Sequence, residues 1–183
     1  MPYTGTGPCG ACQKHPSPFV AAHAAFHYQF PVDRLVTALK FGGRLDLARA
    51  LGELAARELL PRITRAPDVP DVIIPVPLHA QRLRERGFSQ ALEIARPIAH
   101  ALGRPVLTHA ARRIRATEPQ TRLPRAARAT NVRAAFTASN TVAGQHVAIV
   151  DDVMTSGQTA ASLAIALREA GCTAVEVWVV ARA

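Results

Sequence analysis

The order of apolar and polar positions along the chain predicts four helices. Apolar residues recur at helical spacing over 32–39 and 47–59, and Pro61 is expected to end the second of these helices. The same spacing over 89–102 and 160–167 predicts two more helices, and a glycine shortly after each of them suits a helix end. Strands are therefore expected in the stretches between the helices.

Three short runs rich in valine and isoleucine predict buried strands. They occupy 72–74, 146–150 and 175–180. A turn is expected over 151–158, so that the last two strands and the helix between them form a right-handed βαβ unit. The sequence therefore predicts an α/β fold in which helices cover both faces of a mostly parallel sheet.

Three segments without a sustained period are expected to be loops. Residues 1–30 are rich in glycine, proline, histidine and alanine, and predict a loop or a small metal-bound knuckle. Residues 104–133 contain three prolines, so a long mobile loop with short ordered ends is expected there, and HAQRLRERG at 79–87 is a shorter loop. The chain is thus divided into an N-terminal appendage, 1–30, and a main domain, 31–183.

The composition is typical of a globular protein. Hydrophobic residues make up 49% of the 183 residues and charged residues 19%. There is no apolar run of about eighteen residues and no basic-then-apolar N-terminus, so neither membrane insertion nor secretion is expected. Three cysteines are too few for a disulfide framework. These features predict a soluble cytoplasmic protein.

The positive charge is concentrated in one segment. The chain carries a net charge of +9, and residues 104–133 hold eight arginines against a single acid, Glu118. A GC-rich coding bias accounts for the choice of arginine over lysine but not for this clustering. The clustering predicts contacts with phosphate-rich ligands.

The turn after the second predicted strand carries residue types suited to a sugar phosphate. Asp151 and Asp152 are adjacent carboxylates at the carboxyl end of a parallel strand, where open α/β sheets bind ligands. Residues 155–159, Thr-Ser-Gly-Gln-Thr, add small hydroxyls, a glycine that permits close approach and a helix N-terminus that favours an anion. The alternative is a structural turn in which one aspartate caps the helix and Thr155 and Ser156 satisfy the turn.

The segment 147–159, VAIVDDVMTSGQT, resembles the signature with which type I phosphoribosyltransferases bind phosphoribosyl pyrophosphate (PRPP). The resemblance implies a type I phosphoribosyltransferase fold in which Asp151 and Asp152 hold the ribose hydroxyls. The residues that it assigns to a loop around the 5-phosphate are Thr155, Ser156, Gly157, Gln158 and Thr159.

Further segments are similar to the ComF family, which includes GntX-like members and is associated with DNA uptake in natural transformation. They are LKFGGRLDLARALGEL at 39–54, IIPVPLHAQRLRERGFSQA at 73–91, and the pattern R-x4-Q-x7-R-x2-N-V-x3-F over 115–136. In phosphoribosyltransferases the loop after the first core strand contacts pyrophosphate. The resemblance assigns this loop to Val76, Pro77, Leu78 and Arg82, although a rigid strand exit followed by a solvated charge run is the structural alternative.

A zinc site is an open prediction. The ComF family typically carries two zinc-binding Cys-x2-Cys pairs, whereas this chain has one, Cys9 and Cys12. His23 and His27 could complete the four ligands that structural zinc requires. The alternatives are two surface histidines on a helix, together with a missing N-terminal start or a degenerate knuckle.

The resemblance implies a protein that binds PRPP or a ribose 5-phosphate ligand and acts in DNA uptake, with single-stranded DNA and a DNA-uptake helicase as partners. The alternative is an active phosphoribosyltransferase that transfers the phosphoribosyl group to a nitrogen acceptor and releases pyrophosphate, with Mg²⁺ bridging substrate oxygens. The sequence leaves open whether the protein is an enzyme, and it assigns no catalytic residue. The arginines expected to contact DNA or pyrophosphate are Arg112, Arg113, Arg115, Arg122 and Arg128.

Overall fold

The computed structural model describes residues 17–64, 68–115 and 135–183. No helix in this described part of the chain combines the length and the apolar character needed to cross a lipid bilayer. In chain order the elements are β1 (Ala21–His27), α1 (Val32–Gly42), α2 (Leu45–Ile63), β2 (Val72–Pro75), α3 (Ala80–Arg86), α4 (Gln90–Leu102), β3 (Ala111–Arg113), β4 (Phe136–Ala138), a 3-10 turn (Asn140–Val142), β5 (His146–Met154), α5 (Gln158–Glu169) and β6 (Ala174–Arg182).

Four strands form a parallel sheet in the order β1-β6-β5-β2. β5 lies in the interior, with Ile149 aligned with Ile74 of β2. On the outer side of β2, the Ile73 N–H donates to Pro105 O and the Leu107 N–H donates to Ile73 O, each at 2.9 Å. β3 and β4 form a separate antiparallel ribbon. The predicted α/β fold with a mostly parallel sheet is therefore confirmed.

Both faces of the sheet are buried. On one face, α5 and the β3–β4 ribbon cover β5, with Leu163 and Phe136 packed in the same cluster as Ile149. On the other face, α1, α2 and α4 cover Val150 and Trp178. Full burial of each large apolar side chain stabilises the fold by about 1.5–3 kcal/mol. Two covered faces explain why the strands read as nearly continuous apolar runs.

Gly52 sets the distance between α2 and α4. A Cβ at this position would lie 2.7 Å from the Ile94 carbonyl oxygen and 2.9 Å from Cγ of Pro97. The two helices therefore cross with backbone in near contact, and the ring of Pro97 fills the space above the glycine.

The loop predicted for the first thirty residues is wrong at Ala21–His27, which form β1. This segment contains four alanines, which have little intrinsic strand preference. It becomes a strand because it pairs in parallel with β6, where Ala24 is aligned with Val179. The sheet therefore begins before residue 31, which the predicted domain boundary did not anticipate.

The loop predicted for 79–87 is also wrong, because Ala80–Arg86 form the helix α3. His79 caps its start by accepting a hydrogen bond from the Gln81 N–H at 3.3 Å, and Gly87 ends it at φ 76. None of the helix residues is buried. An exposed helix has no apolar period, which is the signal that sequence reasoning uses.

Two predicted boundaries also move. α2 continues past Pro61 to Ile63, because Ile63 is buried and the Thr64 N–H still donates to Leu60 O at 2.9 Å. The turn expected from residue 151 begins only after Met154, because β5 continues beside β6. Two aspartates that were expected in a turn therefore lie on a strand.

Candidate functional site

The carboxyl ends of β2 and β5 meet at one edge of the sheet. Val76, directly after β2, donates its N–H to Val150 O at 2.9 Å. Asp151 and Asp152 follow at this edge and are still part of β5. Because successive side chains of a strand point to opposite faces, the two carboxyl groups face different helical layers.

Asp151 and the loop after β5 line a small cavity of about 40 Å³. The loop turns at Gly157, whose φ of 74 is rarely adopted by other residues. α5 begins at the next residue, so the positive end of the helix dipole lies at the cavity. All five predicted loop residues line it: Thr155, Ser156, Gly157, Gln158 and Thr159.

The Asp151 carboxyl group changes its charge near neutral pH. Burial, followed by the negative charge of Asp152, raises the pKa of Asp151 from 3.8 to about 7. The Asp152 N–H, which donates to Asp151 Oδ1 at 2.9 Å, acts in the opposite direction, as do the charges of Lys40 and Arg113. A ligand that requires the carboxylate therefore competes with a proton at this site.

Asp152 is held from the other layer by α1. Lys40 Nζ lies 3.0 Å from Asp152 Oδ2, and the Val153 N–H donates to Asp152 Oδ1 at 2.7 Å. Sequence reasoning missed Lys40 as a site residue. One signal was present, because Lys40 and Lys14 are the only lysines in a chain with twenty arginines.

Arg113 of β3 reaches the site from the side of α5. Its guanidinium lies 5.4 Å from the centre of the Phe136 ring, a cation–π distance. Burial, followed by the charge of Arg82, lowers the pKa of Arg113, while Asp151 raises it. Arg113, with Arg82 close to it, therefore places positive charge beside Asp151, which favours an anionic ligand.

The segment that contains this site matches a known protein family. Residues 49–183 match the family described as phosphoribosyl transferase domain. The chain belongs to this family. The predicted type I phosphoribosyltransferase fold is confirmed.

Of two relatives of this phosphoribosyltransferase-domain protein, one is named for DNA utilization and the other for competence. DNA utilization protein YhgH of Salmonella typhimurium (strain LT2) is 38% identical over 176 residues, covering 96% of this chain and 78% of that protein. Competence protein F of Haemophilus influenzae is 32% identical over 181 residues with the same two coverages. The predicted resemblance to the ComF family is thereby confirmed.

Among solved structures, the glutamine PRPP amidotransferase of B. subtilis complexed with ADP and GMP is 27% identical, with a TM-score of 0.48. The similarity covers 73% of this chain and 26% of that one.

The predicted pyrophosphate loop of the phosphoribosyltransferase domain is only partly open to a ligand. Val76 is buried in the core, and its N–H already donates to Val150. Pro77 and Leu78 are partly buried, whereas Arg82 is exposed on α3. Of the four predicted residues, Arg82 therefore has the most freedom to meet an anion.

The predicted basic contacts fall into three groups. Arg113 belongs to the site, as described above. Arg112 and Arg115 are exposed and lie within two residues of Arg113 along the chain. Arg122 and Arg128 lie outside the described residues.

The predicted histidine pair cannot complete one zinc site. His23 and His27 both lie on β1, four residues apart, and a strand rises about 3.3 Å per residue, so their backbones are about 13 Å apart. Among the described residues, no group of three or more histidine, cysteine or acidic side chains could hold a metal ion. Cys9 and Cys12 lie outside the described residues, so zinc binding there stays a prediction.

Proposed function

We propose that this protein binds PRPP, or a ribose 5-phosphate ligand, at the cavity beside Asp151. The proposal depends on one observation. The carboxyl group of Asp151 and the five-residue loop at the N-terminus of α5 line the same cavity. The carboxylate of Asp151 can accept hydrogen bonds from sugar hydroxyls, and the loop can surround a phosphate. The sugar and the phosphate of a ribose 5-phosphate could therefore both be bound at this cavity.

The residues around the cavity also suit a Mg²⁺ ion that arrives with its substrate. Among the residues that line the cavity, Asp151 supplies the one carboxyl group, and this group is assigned to the sugar hydroxyls. Mg²⁺ is usually bound by few protein ligands, so the ion would be held by substrate phosphates and water. When bound, the ion would neutralise charge on the pyrophosphate.

Calorimetry with PRPP and Mg²⁺ tests the binding proposal. The unsubstituted protein should bind PRPP, and Asp151→Asn should bind it at least ten-fold more weakly, since an amide is a poorer acceptor for two hydroxyls. Asp46→Asn is the matched control, because Asp46 is an exposed carboxylate on α2. No PRPP binding by the unsubstituted protein would overturn the proposal.

We further propose that the protein acts in DNA uptake in the cytoplasm, with single-stranded DNA and a DNA-uptake helicase as partners. The names of the two relatives support this role, and so do Arg112 and Arg115, which are exposed within two residues of Arg113 along the chain. Arginines that contact phosphates release counterions, so the affinity for DNA should fall steeply with salt.

A double substitution of Arg112 and Arg115 by glutamine should weaken single-strand binding and flatten its dependence on salt. Arg57→Gln with Arg62→Gln removes the same charge from exposed positions of α2 and should leave both unchanged. Equal losses in the two double variants would mean that only net charge matters, and the proposed contact would be wrong.

Phosphoribosyl transfer is the second candidate. It is favoured by the positive charge of Arg113 beside Asp151 and of Arg82 next to Arg113, which could stabilise a departing pyrophosphate. In the reaction, the bond between C1 and the pyrophosphate oxygen breaks, and the pyrophosphate takes the electron pair. A nitrogen acceptor forms the new bond to C1 and loses a proton. Release of pyrophosphate from PRPP only when a nitrogen acceptor such as a nucleobase is added would support this candidate. Binding of PRPP without turnover would instead favour the proposed role in DNA uptake.

A further inference from the structure

The two acids of β5 have different surroundings. Both oxygens of Asp152 are engaged, Oδ2 by Lys40 at 3.0 Å and Oδ1 by the Val153 N–H at 2.7 Å. Asp151 Oδ1 accepts the Asp152 N–H at 2.9 Å, and no residue in the described ranges donates a hydrogen bond to Asp151 Oδ2. Only Asp151 lines the cavity. The acid pair therefore consists of one carboxyl group open to a ligand and one that is held in place.

Lys40 is the group that holds the second acid. It lies near the end of α1, and only 29% of its side chain is exposed, against 10% for Asp152. α1 lies outside the segment 49–183 that matches the phosphoribosyl transferase domain. A lysine places a compact point charge on one oxygen, whereas the planar fork of an arginine would span both.

Charges from three elements act on Asp151, and a fourth element adds charge next to one of them. Asp152 of β5 favours the protonated form of Asp151, and Lys40 of α1 and Arg113 of β3 favour the carboxylate. Arg82 of α3 adds positive charge next to Arg113. The charge of Asp152 raises the pKa of Asp151, and the charge of Lys40 lowers it. Lys40 therefore offsets the effect of Asp152 on Asp151.

We propose that Lys40 is a positioning residue of the ribose site, which holds Asp152 in place and leaves Asp151 as the carboxylate that receives the sugar hydroxyls. This inference rests on the proposed binding of PRPP. It gives the two adjacent acids different roles. Asp151 contacts the ligand, and Asp152 links the site to α1.

Calorimetric titration with PRPP and Mg²⁺ between pH 5.5 and 8.5 tests the inference. Lys40→Met should bind roughly ten-fold more weakly at pH 7, and its binding should set in at a higher pH, because loss of the positive charge favours protonated Asp151. Lys40→Arg should keep most of the affinity and the original pH midpoint. Arg49→Met, which removes an exposed cation of α2 that pairs with Glu53, should behave as the unsubstituted protein.

If Lys40→Met does not fold, Asp152→Asn tests the same inference, because it should shift the pH midpoint of PRPP binding in the opposite direction. Removing the negative charge beside Asp151 should move the pH midpoint downward, and the loss of affinity should be smaller than in Asp151→Asn. The inference is overturned if Lys40→Met matches the unsubstituted protein, if Lys40→Arg binds as weakly as Lys40→Met, or if Asp152→Asn and Asp151→Asn lose equal affinity. If the unsubstituted protein binds no PRPP, the proposed function itself fails, which is a separate result.

Discussion

The indole Nε1 of Trp178 donates a hydrogen bond of 2.9 Å to Oε2 of Glu176, two residues earlier on β6. His146 of β5 and His23 of β1 approach the same carboxyl group, with Nε2 atoms 3.4 and 3.6 Å from its two oxygens. These partners allow an acidic side chain to be buried inside the sheet. The Glu176 carboxyl group therefore joins three neighbouring strands at the end opposite the candidate site.

Glu176→Ala should lower the free energy of unfolding by about 2–4 kcal/mol, because it leaves a buried indole N–H without an acceptor and opens a cavity. Denaturant unfolding followed by the fluorescence of Trp178, the single tryptophan, measures the change. The control is Glu58→Ala, an exposed acid on α2 that pairs with Arg62 at 3.9 Å. A loss in Glu176→Ala no larger than in this control would contradict the structural role.

Asp151→Asn should make the fold more stable above neutral pH while it weakens ligand binding. The folded protein raises the pKa of Asp151 from 3.8 to about 7, so between these values the folded state holds a proton that the unfolded state has lost. Stability from this group is therefore complete below pH 4 and is lost as the pH rises through 7. An amide mimics the protonated form and escapes this loss.

The gain should be roughly 1–3 kcal/mol at pH 8 and close to zero at pH 4, since one pKa unit corresponds to about 1.4 kcal/mol. Urea unfolding at the two pH values gives the comparison. Asp46→Asn should show no gain at pH 8, because the pKa of exposed Asp46 is lowered by Arg44. A gain for Asp151→Asn that is equal at both pH values would refute the assigned ionisation.

Gly52→Ala should lower the thermal midpoint, with a loss of about 1–3 kcal/mol, because its Cβ would overlap the Ile94 carbonyl and the Pro97 ring. Gly42→Ala is the matched control in α1, where the new Cβ would meet only Arg44 Cγ, at an ordinary 3.6 Å. An unchanged midpoint in Gly52→Ala would show that α2 and α4 can move apart without cost.

Ser89→Ala should destabilise α4 by about 1 kcal/mol, because the Ser89 Oγ atom accepts the Leu92 N–H at 3.4 Å at the start of that helix. Ser89→Asn retains an N-cap acceptor and should restore the stability. Thermal unfolding of both variants measures the effect, and an asparagine variant as unstable as the alanine variant would exclude capping as the cause.

Local patterns were sufficient to predict the loop that lines the cavity. The β5–α5 segment carries its own strand signal, its own glycine turn and its own helix signal, so Thr155–Thr159 could be placed next to Asp151 from sequence alone. α4 was predicted nearly to the residue, because it has a regular apolar face together with Ser89 at its start and Gly103 at its end.

Other features depend on contacts between distant parts of the chain. β1 consists largely of alanine and becomes a strand only through β6. Lys40 and Asp152 are in contact although they lie far apart along the chain, and no spacing rule reaches so far. The different roles of Asp151 and Asp152 also escaped prediction, because they depend on β5 continuing through both residues rather than ending before them.

The contact between Lys40 and Asp152 also bears on the register of β5. In most sheets one face is polar, so a strand that slips by one residue exposes its apolar side chains. β5 is apolar on both faces, and a slip would exchange Val147 and Ala148 at little hydrophobic cost. A slip that moved Asp152 into the place of Asp151 would bring Val153 opposite Lys40 and break the ion pair. The Lys40–Asp152 contact therefore opposes this misalignment, which the hydrophobic pattern alone does little to exclude.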